Sequence, residues 1–274
     1  MNRLRLLSLI CLFGIGLLSL GAKPADVTIA QISDTHLGEA HSASAAEHLR
    51  QAVRMINARH PDAVILSGDI GESPQEREQA KQILKALTAP VYFVPGNHDF
   101  KDTNSLELYR KQFGPDYYRF QVKNVDVLAI DSQLLGNYGN FDARSPMPMA
   151  PGLDAESEKM LDWLATQPKP VKGNTIIAVQ HIPLFRDNNF PDIKPYWTVN
   201  PPYAKREADL LHRLGVKHLL AGHWHIGRIF EKDGFTIHVA PATSWLPLGG
   251  KLGFAMHTIT PNGDVQTEFV PLPE

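Results

Sequence analysis

The feature that most constrains the fold is a set of five short apolar runs, each followed by a polar segment that contains Asp, Asn or His. The runs cover residues 27–32, 63–66, 91–94, 175–179 and 216–221. Short apolar runs of this kind predict buried strands. Side chains at the carboxyl ends of such strands converge in space although they are far apart in sequence. The polar segments therefore predict one shared site at one end of the sheets.

Helical patterns lie between these runs, and strand patterns become frequent after residue 117. Apolar periodicity predicts helices over residues 45–58, 75–87, 104–113, 155–166 and 203–214. Additional strands are predicted over residues 118–122, 125–130, 228–231, 235–239, 254–260 and 265–270, with hairpin turns at 232–234 and 261–264. Early alternation and late hairpins predict a mixed α/β domain with two packed sheets and helices outside.

Two long loops, residues 132–152 and 185–202, interrupt this pattern. Both are rich in Pro, Asn and aromatic residues, and both follow predicted strands that lead into the site. Loops of this length in a compact domain are commonly functional or disordered. We expect them to reach the part of a substrate beyond the shared site and so to govern substrate choice.

Composition favours one domain and argues against a nucleic-acid polymer as a partner. The chain has 274 residues, of which 43% are hydrophobic, and this is enough to bury one sizeable core. Its formal net charge of −2 gives no basic surface for a phosphate backbone. We therefore expect a small-molecule or protein substrate.

The amino-terminal segment is typical of an export signal. Two arginines precede an apolar stretch, residues 6–20, that is shorter than a membrane-spanning helix and is followed by small residues. We expect a cleaved signal peptide over residues 1–22, a domain over residues 23–274, and a periplasmic or secreted protein that meets the membrane only transiently. An uncleaved anchor is the alternative. The only cysteine, Cys11, lies in this segment, so the exported chain would have no disulfide or thiolate ligand.

The order of the polar motifs resembles the signature of the calcineurin-like metallophosphoesterase superfamily. That signature runs D-x-H, GD, GNH(D/E), H, GHxH, and the resemblance covers residues 27–239. The matching segments are Asp34-Thr35-His36, Gly68-Asp69, Gly96-Asn97-His98-Asp99, His181 and Gly222-His223-Trp224-His225. The resemblance implies a four-layer α/β/β/α sandwich and hydrolysis of a P–O bond by attack of a metal-bridging hydroxide.

The resemblance also implies a set of ligands for two divalent metal ions. Asp69 would bridge the two ions. By the same comparison, one ion would be completed by Asp34, His36 and His225, and the other by Asn97, His181 and His223. Imidazole, carboxylate and amide donors without sulfur suit Mn, Fe, Zn, Co or Ni and do not separate these metals.

Two further motif residues are predicted to act in catalysis without binding metal. In the family, the histidine of GNH lies over the leaving-group oxygen, where His98 could donate a proton. We expect Asp99 to accept a hydrogen bond from that imidazole and to raise its pKa, so that the ring stays protonated near neutrality.

Other residues are assigned no part in the chemistry. A single histidine is usually on the surface or satisfied in the core, and this interpretation applies to His41, His48, His60, His212, His218, His238 and His257. Asp131 is expected to cap the loop that follows it. Both a pocket role and a structural role remain open for four residues near the later motifs and loops, Trp224, Trp245, Phe185 and Arg186.

The leading hypothesis is an exported phosphomonoesterase for a small phosphate ester, with a phosphoprotein as a further candidate substrate. The same motifs serve phosphodiesterases, for example of cyclic nucleotides, which form the alternative among enzymes. A non-catalytic metal-binding scaffold is disfavoured because every motif residue is present. A purple acid phosphatase is disfavoured because Glu72 occupies the place of the ligating tyrosine in those enzymes.

Overall fold

The structure is a computed structural model that describes residues 25–273. The predicted signal peptide, residues 1–22, lies outside the described residues. Within the described part of the chain, no helix combines the length and the apolar character that crossing a membrane requires.

Helices and strands alternate through most of the chain. The first part contains β1 (Val27–Ile32), α1 (Ala45–Asn57), β2 (Ala63–Ser67), α2 (Pro74–Leu84), β3 (Val91–Val94), α3 (Thr103–Phe113), β4 (Tyr118–Val122) and β5 (Val125–Ala129). The second part contains α4 (Leu153–Thr166), β6 (Thr175–Val179), α5 (Tyr203–Leu214), β7 (His218–Ala221), β8 (Arg228–Lys232), β9 (Phe235–Val239), β10 (Gly253–Ile259) and β11 (Val265–Pro271). Each long loop contains a short 3₁₀ turn, at Ser132–Leu135 and Pro195–Trp197.

The strands form two mixed sheets. The first sheet has the order β11-β10-β1-β2-β3, in which β1, β2 and β3 are parallel and β10 and β11 are antiparallel neighbours. The second sheet has the order β4-β5-β6-β7-β9-β8, in which only the edge strands β4 and β8 pair antiparallel. This arrangement confirms the predicted fold class.

Three apolar clusters separate four layers. The central cluster joins the inner faces of both sheets, through residues such as Ile29 and Ile65 of the first and Val127 and Ile177 of the second. A second cluster lies between the first sheet and helices α1 and α2, and a third lies between the second sheet and helices α4 and α5. The result is the α/β/β/α sandwich that the resemblance implied.

The ends of some helices and strands differ from the predicted bounds because of local hydrogen bonds. Helix α2 begins at Pro74 and, as the Ser73-Pro74 pair predicts, the Ser73 side chain caps it by accepting a hydrogen bond from the Glu76 N–H. Strand β7 begins two residues late because the Val216 N–H still donates to the Leu211 carbonyl, which closes the end of α5. These shifts leave the carboxyl ends of the strands, and hence the site, in place.

Candidate metal centre

The seven predicted metal ligands all lie in turns directly after strands β1, β2, β3, β6 and β7. Hydrogen bonds between the turns hold them together: the Asp34 N–H donates to the Gly68 carbonyl (3.1 Å), and the His36 N–H donates to the Asp69 carbonyl (2.9 Å). Every one of the seven is at most 6% exposed. The structure thus brings the whole predicted set into one buried cluster.

Five of the seven ligands have backbones in the left-handed region. Their φ angles lie between 39° and 70°, and the residues are Asp34, His36, Asp69, His223 and His225. Non-glycine residues rarely adopt this conformation, which persists where surrounding structure enforces it and is common at functional sites. Among the described residues only three other non-glycine residues share it, so the strained backbone is concentrated in this cluster.

One group of ligand atoms comprises Asp34, His36 and His225, which we call the first half-site. One side-chain atom from each lies within 4.8 Å of the others. Asp34 Oδ1 is 3.2 Å from His225 Nε2, and His36 Nε2 is 3.2 Å from the same nitrogen. The group is the one that the resemblance assigned to a single ion.

The second half-site consists of Asn97, His181 and His223. A side-chain atom of Asp69 lies within 4.8 Å of both histidines. Asp69 Oδ2 is 3.1 Å from His181 Nε2 and 3.4 Å from His36 Nε2, so this one oxygen lies between the two half-sites. That is the position a bridging carboxylate needs.

Each of the four candidate ligand imidazoles has one ring nitrogen hydrogen-bonded to a neighbouring oxygen acceptor. His36 Nδ1 donates to Glu72 Oε1 (2.9 Å), and His181 Nδ1 donates to the Ser67 carbonyl (2.7 Å). The remaining donor–acceptor pairs are His225 Nδ1 with the Trp245 carbonyl (2.9 Å) and His223 Nε2 with the Tyr196 carbonyl (2.8 Å). Such contacts orient metal-binding imidazoles and leave the opposite nitrogen unprotonated for the ion.

Unpartnered atoms show that the cluster fits cations. Asp34 Oδ1, Asn97 Oδ1 and His181 Nε2 are buried and have no hydrogen-bond partner among residues 25–273. Burial opposes ionisation of Asp34 and Asp69, but the surrounding histidines outweigh it and lower the pKa of both carboxyls. Burial also opposes a charge on His181, but Asp69 and Asp34 raise its pKa to about 9. Positive charge is therefore favoured at this place.

His98 lies at the edge of the cluster, and its partner differs from the predicted one. Its Nδ1 donates to Glu72 Oε2 at 3.0 Å. The Asp99 carboxylate instead accepts hydrogen bonds from the backbone N–H groups of Asp69, Ile70 and Gly96, at 2.8–3.0 Å. The prediction that Asp99 accepts a hydrogen bond from the His98 imidazole is wrong, because the two turns fold around this buried carboxylate. Asp99 is therefore a structural support for the turn that carries Asp69.

Glu72 is a site residue that the sequence motifs did not predict. Its two carboxylate oxygens contact the His36 and His98 rings separately, at 2.9 and 3.0 Å. Burial opposes its ionisation, yet these hydrogen bonds lower its pKa to about 2. Burial lowers the pKa of His98, but the charge of Asp69 and the contact with Glu72 outweigh it and raise that pKa to about 9. The position of Glu72, three residues after Asp69, was the only signal in the sequence that it lies near the site.

Comparison with known proteins agrees with this geometry. The calcineurin-like phosphoesterase family matches residues 27–227, which is most of the chain. The chain belongs to this family. It is a metal-dependent phosphoesterase by descent, and its buried cluster supplies the two half-sites that a dinuclear divalent centre needs.

Individual relatives carry two kinds of name. A probable cyclic nucleotide phosphodiesterase of Rhodococcus erythropolis is 30% identical over 254 residues, which cover 82% of this chain and 75% of the relative. The human serine/threonine-protein phosphatase CPPED1 is 28% identical over 189 residues, 64% of this chain and 57% of its own length. A solved dimetal phosphatase from Danio rerio shares the fold with a TM-score of 0.65 at 17% identity, covering 92% of this chain and 98% of its own.

Two chambers open onto the metal centre of this phosphoesterase. The first has a volume of about 300 Å³ and lies over the ligand cluster, with aromatic and aliphatic walls that include Phe141, Tyr196, Trp245 and Leu248. The second, about 270 Å³, is more polar and includes Asn97, Asn137 and Lys101. His98, Phe141 and Tyr196 line both chambers. Both long loops therefore reach the site, as expected.

The residues left open by the sequence divide between pocket and support. Trp245 lines the first chamber, whereas Trp224 is fully buried and donates from Nε1 to the Trp197 carbonyl (2.8 Å). The Arg186 Nη2 donates to two carbonyls of its own loop. Asp131 caps the 3₁₀ turn after it, accepting from the Gln133 N–H (3.0 Å), as predicted.

Proposed function

We propose that this phosphoesterase is a phosphatase for small phosphate monoesters whose leaving group has an aromatic or apolar body. The observation that carries the proposal is the first chamber. Its floor contains ligands of both half-sites, His98 lies in its wall, and its remaining walls are formed by side chains such as Trp245 and Phe141. A phosphoryl group on the floor would direct its leaving group along these rings, where stacking contributes binding energy.

The bound cations and the side chains around them would have separate roles in the reaction. Bound divalent cations would activate a water molecule and neutralise the phosphoryl oxygens. His98 holds a proton at neutral pH and offers its Nε2–H to the leaving-group oxygen, while Glu72 fixes the ring through Nδ1. The aromatic walls exclude water around the ester.

The names of relatives widen the set of substrates to test. The human relative is named a serine/threonine-protein phosphatase, which supports including a phosphoserine peptide beside small monoesters. Because the chain spans 57% of that relative's length, the activity of the whole relative is carried over only as a proposal.

A phosphodiesterase is the second candidate, and the second chamber favours it. A diester has two organic groups, and the two chambers meet at the rings of Phe141 and Tyr196. Two relatives are named probable cyclic nucleotide phosphodiesterases, which supports nucleoside cyclic phosphates as the diester class. A nucleobase in the first chamber would face Trp245.

A substrate panel separates the two candidates. The purified protein, loaded in turn with Mn, Zn, Co, Ni or Fe, is given phenyl phosphate, glycerol phosphate, a phosphoserine peptide, bis(nitrophenyl) phosphate and cyclic AMP. A phosphomonoesterase should show a kcat/KM for phenyl phosphate at least about tenfold above that for the diesters. The opposite ranking would establish the second candidate. Hydrolysis of neither class with both half-sites filled would leave a scaffold. Asp34→Asn is the control for contaminating activity.

Export is part of the proposal and is supported by the sequence of residues 1–22. The apolar stretch and its basic flank are those of a cleaved signal. Mass spectrometry of the protein from the host should find a chain that begins near Ala22 or Lys23. An intact amino terminus in the membrane fraction would show an anchor instead.

A further inference from the structure

Asn97 has an orientation requirement that the other ligands lack. A side-chain amide binds a cation through Oδ1, so its Nδ2 must turn away and find an acceptor elsewhere. Asn97 Oδ1 is buried without a partner, and Nδ2 donates to the phenol oxygen of Tyr196 at 3.1 Å. Among the described residues no other acceptor bonds to this nitrogen. The phenol therefore stabilises the orientation that faces the ion.

Tyr196 also holds a second ligand of the same half-site. Its backbone carbonyl accepts the Nε2–H of His223 at 2.8 Å, and its ring packs against that imidazole with centroids 4.8 Å apart. The first half-site has different supports, because His36 donates to Glu72 and His225 donates to the Trp245 carbonyl. Tyr196 thus contacts ligands of only one half-site.

We propose that Tyr196 is a positioning residue that sets the metal affinity of the second half-site and ties it to the loop 185–202. The loop then does more than contact substrate, because it carries the residue that holds two ligands of the second half-site. The inference depends on the dinuclear centre and is independent of which ester is hydrolysed.

The test is a Mn²⁺ titration of metal-free protein that is monitored by calorimetry and by EPR. In Tyr196→Phe the ring stays but the acceptor for Asn97 is lost. Supports of this kind typically change metal affinity by about 10–100-fold, so one of the two Kd values should rise by that factor while the other is unchanged. At two equivalents of Mn²⁺, wild type should show a spin-coupled pair and the variant a mononuclear signal that becomes coupled at higher Mn²⁺.

Tyr138→Phe is the matched control. Tyr138 is a buried tyrosine of the other loop with its ring 6.3 Å from His223, and its hydroxyl donates to the Leu135 carbonyl rather than contacting a ligand. This control should keep both dissociation constants. The proposal is overturned if Tyr196→Phe keeps both constants within twofold of wild type. It is equally overturned if both half-sites weaken together, or if Tyr138→Phe behaves in the same way. No substrate is used, so failure here is distinct from failure of the proposed activity.

Discussion

At the scale of single residues, His98 differs from the other four motif histidines in exposure. Its side chain is 33% exposed, whereas the side chains of His36, His181 and His225 are at most 7% exposed. It is also close enough to His36 and Asp69 to join a metal-binding group. An experiment must therefore separate a proton donor from a ligand.

His98→Gln should lower kcat and leave two ions bound. General-acid catalysis typically contributes ~10²–10⁴-fold, so kcat for alkyl phosphates should fall by that order. Nitrophenyl phosphate should lose much less, because its phenolate departs without a proton. Steady-state kinetics on both esters and elemental analysis provide the measurements. Loss of metal, or equal loss on both esters, would assign His98 to the metal centre.

Asp69→Asn should reduce occupancy of both half-sites together, because one oxygen lies between them. The substitution keeps an acceptor for the His98 N–H, which donates to Asp69 Oδ1 at 2.9 Å, so the turn should persist. Elemental analysis after dialysis compares this variant with His225→Gln, which touches the first half-site alone. Full occupancy in Asp69→Asn would exclude a bridging role.

That the seven candidate ligands lie together was predictable from sequence, because each follows the carboxyl end of a strand and matches a family motif. In contrast, the partner of His98 was not predictable. Asp99 is its neighbour in the chain, but the peptide path turns that carboxylate toward the backbone of the Asp69 turn. Glu72 reaches the ring from another loop, and only the folded path of that loop reveals the contact.

At the scale of elements, the long loops were predicted as loops, but which of their residues line each chamber was not predicted. Phe141 comes from one loop and Tyr196 from the other, and both line both chambers. Strand positions followed from apolar runs. Helix α2 ends at Leu84 rather than 87 because the next residues turn more tightly, with Leu87 N–H donating to the Leu84 carbonyl. Sequence periodicity does not distinguish an α-helical turn from this tighter turn, in which the hydrogen bond joins residues three apart.

Phe141→Ala should change substrate preference without changing metal content. Aromatic contacts are worth about 0.5–1.5 kcal/mol, so kcat/KM for phenyl phosphate should fall ~2–10-fold relative to glycerol phosphate. The control is Ile193→Ala on the other loop, because Ile193 is 83% exposed. Parallel losses on both substrates in Phe141→Ala would mean that the loop supports the centre rather than the leaving group.

Helix α5 contributes a pH-dependent term to stability through Glu207. Its carboxyl is fully buried with both oxygens unpartnered, and burial raises its pKa to about 8. Between the unfolded pKa near 4.5 and about pH 8, the native state holds a proton that the unfolded state releases, so stability falls as pH rises. Glu207→Gln should therefore gain in Tm relative to wild type from pH 5 to pH 8. Unfolding of metal-free protein measures this, and a constant Tm difference would contradict it.

At the scale of the whole molecule, a largely buried network of polar side chains crosses between the sheets. It runs in order through His218, His238, Thr267, His257, Gln31 and Ser67, with hydrogen bonds of 2.8–3.1 Å. The three histidines were predicted to be surface or satisfied core residues, and they are hydrogen-bonded here. The two-sheet architecture was predictable, but the placement of β10 beside β1 was not, because that pairing joins residues more than 220 positions apart.

Thr267→Val should interrupt this hydrogen-bond network and destabilise the fold by about 1–3 kcal/mol, because it leaves buried imidazole nitrogens without a partner. Thr258→Val on the neighbouring strand is the control, since the Thr258 hydroxyl makes no hydrogen bond among the described residues. Denaturant unfolding of both variants measures the difference. Equal stability of the two variants would show that the network makes no net contribution to the free energy of unfolding.

Each half-site takes ligands from both sheets. Asp34 and Asn97 follow strands of the first sheet, whereas His181, His223 and His225 follow strands of the second. An ion bound here is a cross-link between the two halves of the sandwich, and it binds the folded state far better than a disordered chain in which these groups are scattered. We expect metal not to nucleate folding, because the complete ligand set of either half-site meets only after both sheets have docked. It should instead slow their separation, so chelation should accelerate unfolding and leave the refolding rate nearly unchanged.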